Sequence, residues 1–342
     1  MKKNISYLDG WRGAAITCLL IGHFFAIPGI NLGSVGVGLF FVLSGLLMAD
    51  VLLVSKVDFG TFFRRRIARV FPSMAAYFAI IIGIFVIDDR SISATELLSA
   101  LTFTNNYFIV DQWLMPFGHI WSLSVEEHSY VILSLAALWC RTGTSTRARH
   151  GTSAIGLILA VIVTAIAIYT VFPGANVNGF YAHTEVASLG IFAAGFVFLN
   201  MSNDSARLRQ WWVAPIGLVI GVAAHWWSVP LGVRLVLSPI AFAVAINAMP
   251  YSPGWYRSIF EFAWLRKLGT YSFSLYLWQQ PFYQLYRHDG MSPVLGVVLA
   301  LGAGWTAFHL VENPARLYLN KRWGAKPSIV VDSEPDRTRI EA

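Results

Sequence analysis

Apolar residues fill this chain in long unbroken blocks, not in the short alternating runs of half-buried strands, and polar residues collect in the gaps. Ten blocks are long enough to cross a bilayer as helices: 13–28, 35–54, 72–87, 119–140, 153–172, 183–199, 211–227, 231–249, 269–286 and 293–310. Some hold only 16 or 17 residues, so their ends are soft. The pattern predicts an all-α polytopic membrane domain over 1–322, followed at 323–342 by a short polar, disordered tail.

Lys and Arg occupy alternate gaps. Lys2, Lys3, Lys56, Arg64 to Arg66, Arg69, Arg141, Arg147, Arg149, Arg207, Arg209, Arg257, Arg266, Lys267 and the segment from Arg316 fall on one side; Arg90 and Arg287 fall on the other, with Arg234 near them inside a helix. By the positive-inside rule the first group is cytoplasmic, which places both termini inside and agrees with ten crossings. Asp88 to Gly118 is the longest outward connection and is expected to dip into the membrane surface or cap an outward cavity.

Composition adds exclusions. With 56% hydrophobic and 13% charged residues, the chain has too little polar surface for a water-soluble domain. Its net charge of +7 lies in the loops that set topology, so it implies membrane lipid and no nucleic-acid partner. Cys18 and Cys140 sit in apolar helices and point to neither a disulfide nor a metal site. The first block follows lysines without an evident cleavage site and reads as a retained helix, not a leader.

Three stretches carry candidate chemistry. In the first block, Arg12 and His23 are eleven residues apart, so on a helix they share a face about 16 Å apart. With Arg12 at the membrane boundary, His23 lies near the midplane, as a functional group or as a neutral imidazole bonded to a neighbouring helix. Arg64, Arg65, Arg66 and Arg69 sit at the entrance to the third block, either as a lipid-facing anchor or as a phosphate site built from guanidinium forks. The stretch 117–130 carries two carboxylates inside an apolar helix. His119, Ser122, Glu126 and Ser129 share a face there, whereas Glu127 projects about 100° away. That favours Glu126 as a partner for His23, or as a fastener between helices. Trp121, Glu127 and Tyr130 are further candidates in this stretch. Ser44 lies in a glycine-rich run suited to close packing, and lacks the adjacent base a nucleophile needs. The aromatics Tyr271, Tyr276 and Trp278 pack or line an acceptor site; His183, Glu185, His225 and His309 read as isolated structural groups.

These residues in this order resemble the acyltransferase 3 family of membrane-bound, predominantly bacterial O-acyltransferases. The resemblance rests on Leu8-Asp-Gly-Trp-Arg12 with His23, Leu39-Phe-Phe-Val-Leu-Ser-Gly45, the cluster from Arg64 to Pro72, His119-Ile-Trp-Ser-Leu-Ser-Val-Glu-Glu127, Leu268 to Trp278 and Val311-Glu312-Asn-Pro314. It implies a ten-helix domain in the bacterial cytoplasmic (inner) membrane. Such a domain takes an acyl group, acetyl above all, from cytoplasmic acyl-CoA and transfers it to a hydroxyl of a saccharide or glycolipid acceptor. No tightly bound cofactor is implied. Arg12, His23 and the arginine pair within Arg64 to Arg69 would belong to the active or donor site. Gln279 stands where many relatives have histidine, and His128 where glutamine is common, so the acceptor or the hydrogen-bond network is expected to differ. Some relatives append an extracytoplasmic hydrolase-like domain for which this chain is too short. The expected mechanism has His23 as general base, with Glu126 orienting it. The competing class is a transporter or flippase of an acylated saccharide, since intramembrane His and Glu also build proton relays.

Overall fold

A computed structural model describes residues 6–108, 116–141, 147–172, 174, 179–201 and 206–324. Lys2, Lys3, Trp113 and the expected tail beyond 324 lie outside them. The described residues are helical, with no strand and one isolated antiparallel bridge, Ile30 to Trp226. In chain order the helices are α1 (Ser6–Phe24), α2 (Leu32–Ala49), α3 (Phe59–Ile87), α4 (Ala94–Leu101), α5 (Trp121–Arg141), α6 (Arg147–Val171) and α7 (Thr184–Ala187). They continue as α8 (Leu189–Met201), α9 (Val213–Ala223), α10 (Leu231–Ala248), α11 (Gly254–Glu261), α12 (Ala263–His288), α13 (Pro293–Ala307) and α14 (Asn313–Arg322). Wider π-helical turns extend α2 through Asp50–Val54 and join α13 to α14 through Phe308–Glu312.

Every expected apolar block falls on a helix, but α1, α2, α3, α6 and α12 begin earlier than their blocks. For α3 the cause is a cap: the Asp58 side chain accepts from the Thr61 N–H at 2.9 Å, so the helix starts before the arginines and carries all four of them. Six stretches are long and apolar enough to cross a membrane: Leu32–Val54, Phe59–Ile87, Gly151–Val171, Thr184–Met201, Leu231–Tyr251 and Pro293–Arg322. Their outward residues, among them Ile87, Leu157, Leu237 and Val298, are large, apolar and exposed, which suits contact with lipid in a multi-pass membrane protein. Helices α1, α5 and α12 are absent from that group, and they carry Arg12 and His23, Glu126 and Glu127, and Gln279.

Helix α1 is packed by α2, α11, α12 and α13. It runs antiparallel to α2 and parallel to α12, where contact is backbone on backbone. A Cβ on Gly13 would lie 1.9 Å from the Leu265 carbonyl oxygen, and one on Gly269 would lie 1.8 Å from that of Asp9. Only glycine permits this approach, as in tight membrane helix pairs. The described end of the connection from 88 to 118, Pro116 to Gly118, enters the bundle. Tyr77 donates to the Pro116 carbonyl at 2.7 Å, and Phe117 stacks on Phe78 at 4.3 Å. Tyr77 is ten residues before the end of α3, so this segment reaches about 15 Å down that helix.

The α1/α12 contact predicts that Gly269→Ala melts with a loss of about 1–3 kcal/mol in detergent. Gly302→Ala, which meets open space, should be unchanged or gain up to about 1 kcal/mol. Equal melting of the two variants would show that the helices do not touch there.

Candidate functional site

Helices α2, α3 and α5 converge on one ion-paired cluster around Arg66 and Glu126. Arg66 Nη2 donates to Glu126 Oε2 and Nε to Glu127 Oε1, both at 2.8 Å. The Tyr130 hydroxyl also donates to Glu126 Oε2, at 2.9 Å, and the Ser44 hydroxyl to Oε1, at 3.0 Å. The guanidinium lies 4.0 Å over the Tyr130 ring. Both oxygens of Glu126 are therefore engaged, and none of its bonds goes to His23. Helical spacing favoured that pairing because it fixes which residues share a face, not which neighbour the face meets.

Beside this clamp lies a cavity of about 760 Å³, its mouth included, lined by Arg12, Ser44, Arg66, Arg69, Ser122, Glu126, Tyr130, Ser272 and Tyr276 with apolar residues of α2 and α3. Arg12 is held by Asp9 at 3.0 Å. Arg69 has no ion-pair partner among the described residues, and it stands near enough to Arg12 and Arg316 for their charges to oppose one another. Three converging guanidiniums in a low-dielectric setting favour an anion there. Of the expected arginine cluster, Arg66 and Arg69 reach the cavity; Arg64 is exposed, and neither it nor Arg65 lines the cavity. Arg316, read from sequence only as a topology charge, is the addition. Its signal was its place just after Glu312-Asn-Pro314.

His23 sits on the last turn of α1. Its Nδ1 is 2.9 Å from Gln279 Oε1, which only accepts, so Nδ1 carries the proton. Gln279 is pinned in turn by Nε2 donating to Gln280 Oε1 at 3.4 Å. The ring stacks on Tyr283 at 4.6 Å. Nε2 has no partner among the described residues, and Gly33 keeps it clear: a Cβ there would stand 3.3 Å away. Thus Gln279, not Glu126, orients the imidazole.

His23 is not among the cavity-lining residues; Tyr276 forms that wall. The Tyr276 hydroxyl donates to the His119 carbonyl and accepts from Ser122, 2.7 Å away. His119 itself is buried beside it. Trp121 packs edge-on to Phe41 and does not line the cavity. His128 shares a hydrogen bond with Thr184 at 2.7 Å. His183 and Glu185, read as isolated, are joined at 3.2 Å, and Tyr107 and Tyr169 donate to the same carboxylate. His225 is bonded to Ser238, and His309 packs on Tyr271 and Trp305.

The arginines thus divide by role. Arg66→Ala would strand two half-buried carboxylates and is expected to cost about 3–5 kcal/mol in thermal unfolding, part of which Glu126→Gln with Glu127→Gln should recover. Arg69→Ala, which breaks no ion pair, should stay within about 1 kcal/mol of the parent. A stable Arg66→Ala would show that the clamp does not hold the helices.

The model of a family described as an acyltransferase domain matches residues 5–309. YrhL of Bacillus subtilis, which carries the name of a peptidoglycan O-acetyltransferase, is 26% identical over 92% of this chain and 55% of its own length. The O-acetyltransferase OatA of Staphylococcus aureus is 23% identical over 90% of this chain and 57% of its own. This chain therefore spans little more than half the length of these relatives. No solved structure matches it. Nine-tenths of the sequence, including every residue of the cavity and the His23 pair, falls within the matched region, and the chain belongs to the acyltransferase 3 family.

Proposed function

We propose that this chain is a membrane O-acyltransferase that moves an acyl group, acetyl by preference, from cytoplasmic acyl-CoA to a hydroxyl of a cell-envelope or lipid-linked saccharide. One observation carries the reading. Along α1, Arg12 faces a cationic cavity, and His23, about 16 Å further on, has its Nδ1 proton held and its Nε2 open. A long, linear donor with phosphates at one end and a thioester at the other fits that spacing. The names of the relatives favour acetyl and a peptidoglycan-like acceptor.

In this reading Arg12 and Arg69, with Arg316 near, hold the donor phosphates, and the pantetheine arm runs past Ser44, Ser122 and Tyr276. Arg66 serves the site by neutralising Glu126 and Glu127. The acceptor approaches from the Tyr283 side. His23 Nε2 takes the hydroxyl proton as that oxygen attacks the thioester carbonyl; when the C–S bond breaks, the imidazolium returns the proton to the thiolate. Gln279 fixes the tautomer, as the carboxylate does in a hydrolase triad, but adds no charge to balance the imidazolium. Holding both reactants and excluding water supplies much of the acceleration.

Ten crossings, both termini cytoplasmic, and a bacterial inner-membrane location belong to the same proposal. The antiparallel α1/α2 pair, the parallel α1/α12 pair and the alternation of Lys and Arg support them. Residues 1–322 then constitute the membrane domain.

The test is acceptor-dependent release of CoA thiol from acetyl-CoA by purified protein, with a peptidoglycan fragment as acceptor. His23→Ala should lose about a hundredfold or more in kcat. Gln279→Leu should lower kcat with little change in donor KM. Arg69→Gln should raise donor KM about tenfold, the worth of a charge-assisted hydrogen bond. Saccharide movement across vesicles without thiol release would instead establish a transporter, and full turnover by His23→Ala would remove the base.

A further inference from the structure

His119 is 5% exposed, and neither of its ring nitrogens has a hydrogen-bond partner. The Leu277 carbonyl, which Pro281 leaves without a helical donor, is close enough to act on the ring, but neither nitrogen closes a hydrogen bond. A buried imidazole with neither nitrogen satisfied is costly, so the position is one that awaits a partner. Its place narrows what that partner is. The ring packs edge-on to Tyr77 at 5.4 Å and against Tyr276 at 5.5 Å, and Tyr276 is the wall of the arginine-lined cavity. On the far side it is near enough to His23 for the two rings to sense each other's charge. His119 and His23 meet α12 at Tyr276 and Gln279, one turn and about 4.5 Å apart along its axis.

We infer that His119 is the oxyanion donor of the acyl-transfer site, its imidazole N–H binding the carbonyl oxygen of the thioester. The inference rests on the acyl-CoA reading and adds to it the group that stabilises developing charge. As the acceptor oxygen attacks the carbonyl carbon, its proton passes to His23 Nε2 and the carbonyl π pair moves onto oxygen, where the His119 N–H holds it. Collapse re-forms the carbonyl, breaks the C–S bond and returns the proton from His23 to sulfur. One imidazole handles the proton and the other the oxyanion. Because His119 stays neutral throughout, its burial costs no charge desolvation, and a dry setting strengthens its bond to the oxyanion. The thioester reaches it past Tyr276 and Ser122.

Isotope-edited infrared spectroscopy of acetyl-CoA labelled with carbon-13 at the carbonyl, bound to purified protein without acceptor, reads this bond directly. Wild type should shift the carbonyl band to lower frequency than in free acetyl-CoA. His119→Leu should lose the shift and about a hundredfold in kcat, with donor KM changed less than about threefold; His119→Asn, which keeps an N–H, should recover part of both. If His119→Leu fails to fold, the comparison of His119→Asn with His119→Phe carries the same reading. An unchanged band and kcat in a folded variant lacking the N–H overturns the inference and leaves the acyltransferase reading standing. Absence of acetyl-CoA binding and thiol release in the wild type overturns both.

Discussion

Two helices lie against each other backbone to backbone, and the candidate site is aligned by that contact. Gly13 against Leu265 and Gly269 against Asp9 leave no room for a side chain, so α1 and α12 have essentially one register. Both helices then offer matched stripes. Arg12, Ile16, Leu19 and His23 on α1, and Ser272, Tyr276, Gln279 and Tyr283 on α12, each follow the 4, 3, 4 spacing of one helical face. Because the helices run parallel, the stripes meet level by level. Ser272 and Tyr276 share the cavity with Arg12, and Gln279 meets His23. A slip of one residue would turn these side chains about 100° away from each other.

Polar groups at this depth are expensive, and the protein treats them in two ways. Glu126 and Glu127 are answered within the protein by Arg66, Tyr130 and Ser44, a closed set whose effect is to fasten three helices. Arg69, His23 Nε2 and His119 are left without partners among the described residues. Arg69 lines the cavity, His119 packs on its Tyr276 wall, and His23 is held by Gln279 one turn further along α12. Their incompleteness is economical only if a ligand completes them, and a phosphate-bearing thioester presents anions, a carbonyl and a reacting centre in the same order.

Much of this was legible in the sequence. Unbroken apolar blocks fix helices because the bilayer forces backbone groups to pair within a segment, and the eleven-residue spacing correctly placed Arg12 and His23 on one face. What could not be read was partnership across the fold. Glu126 pairs with Arg66, 60 residues away, and His23 with Gln279, 256 residues away. Periodicity carries no information about which faces meet. Gln279 stood out only as a departure from the family pattern, and Arg316 only as one positive charge among many. The union of His183 and Glu185 with Tyr107 and Tyr169 was hidden for the same reason.

Acyl transfer here requires one continuous path from the arginine-lined cavity to the imidazole held by Gln279. A structure of the protein with acetyl-CoA bound, determined in a lipid nanodisc, tests it most directly. Phosphate density should lie between Arg12 and Arg69, with the thioester carbonyl about 3–3.5 Å from the attacking position beside His23 Nε2. Phosphates bound elsewhere, or an acyl end that stops on the cavity side of Tyr276 with His23 still screened from it, would contradict it.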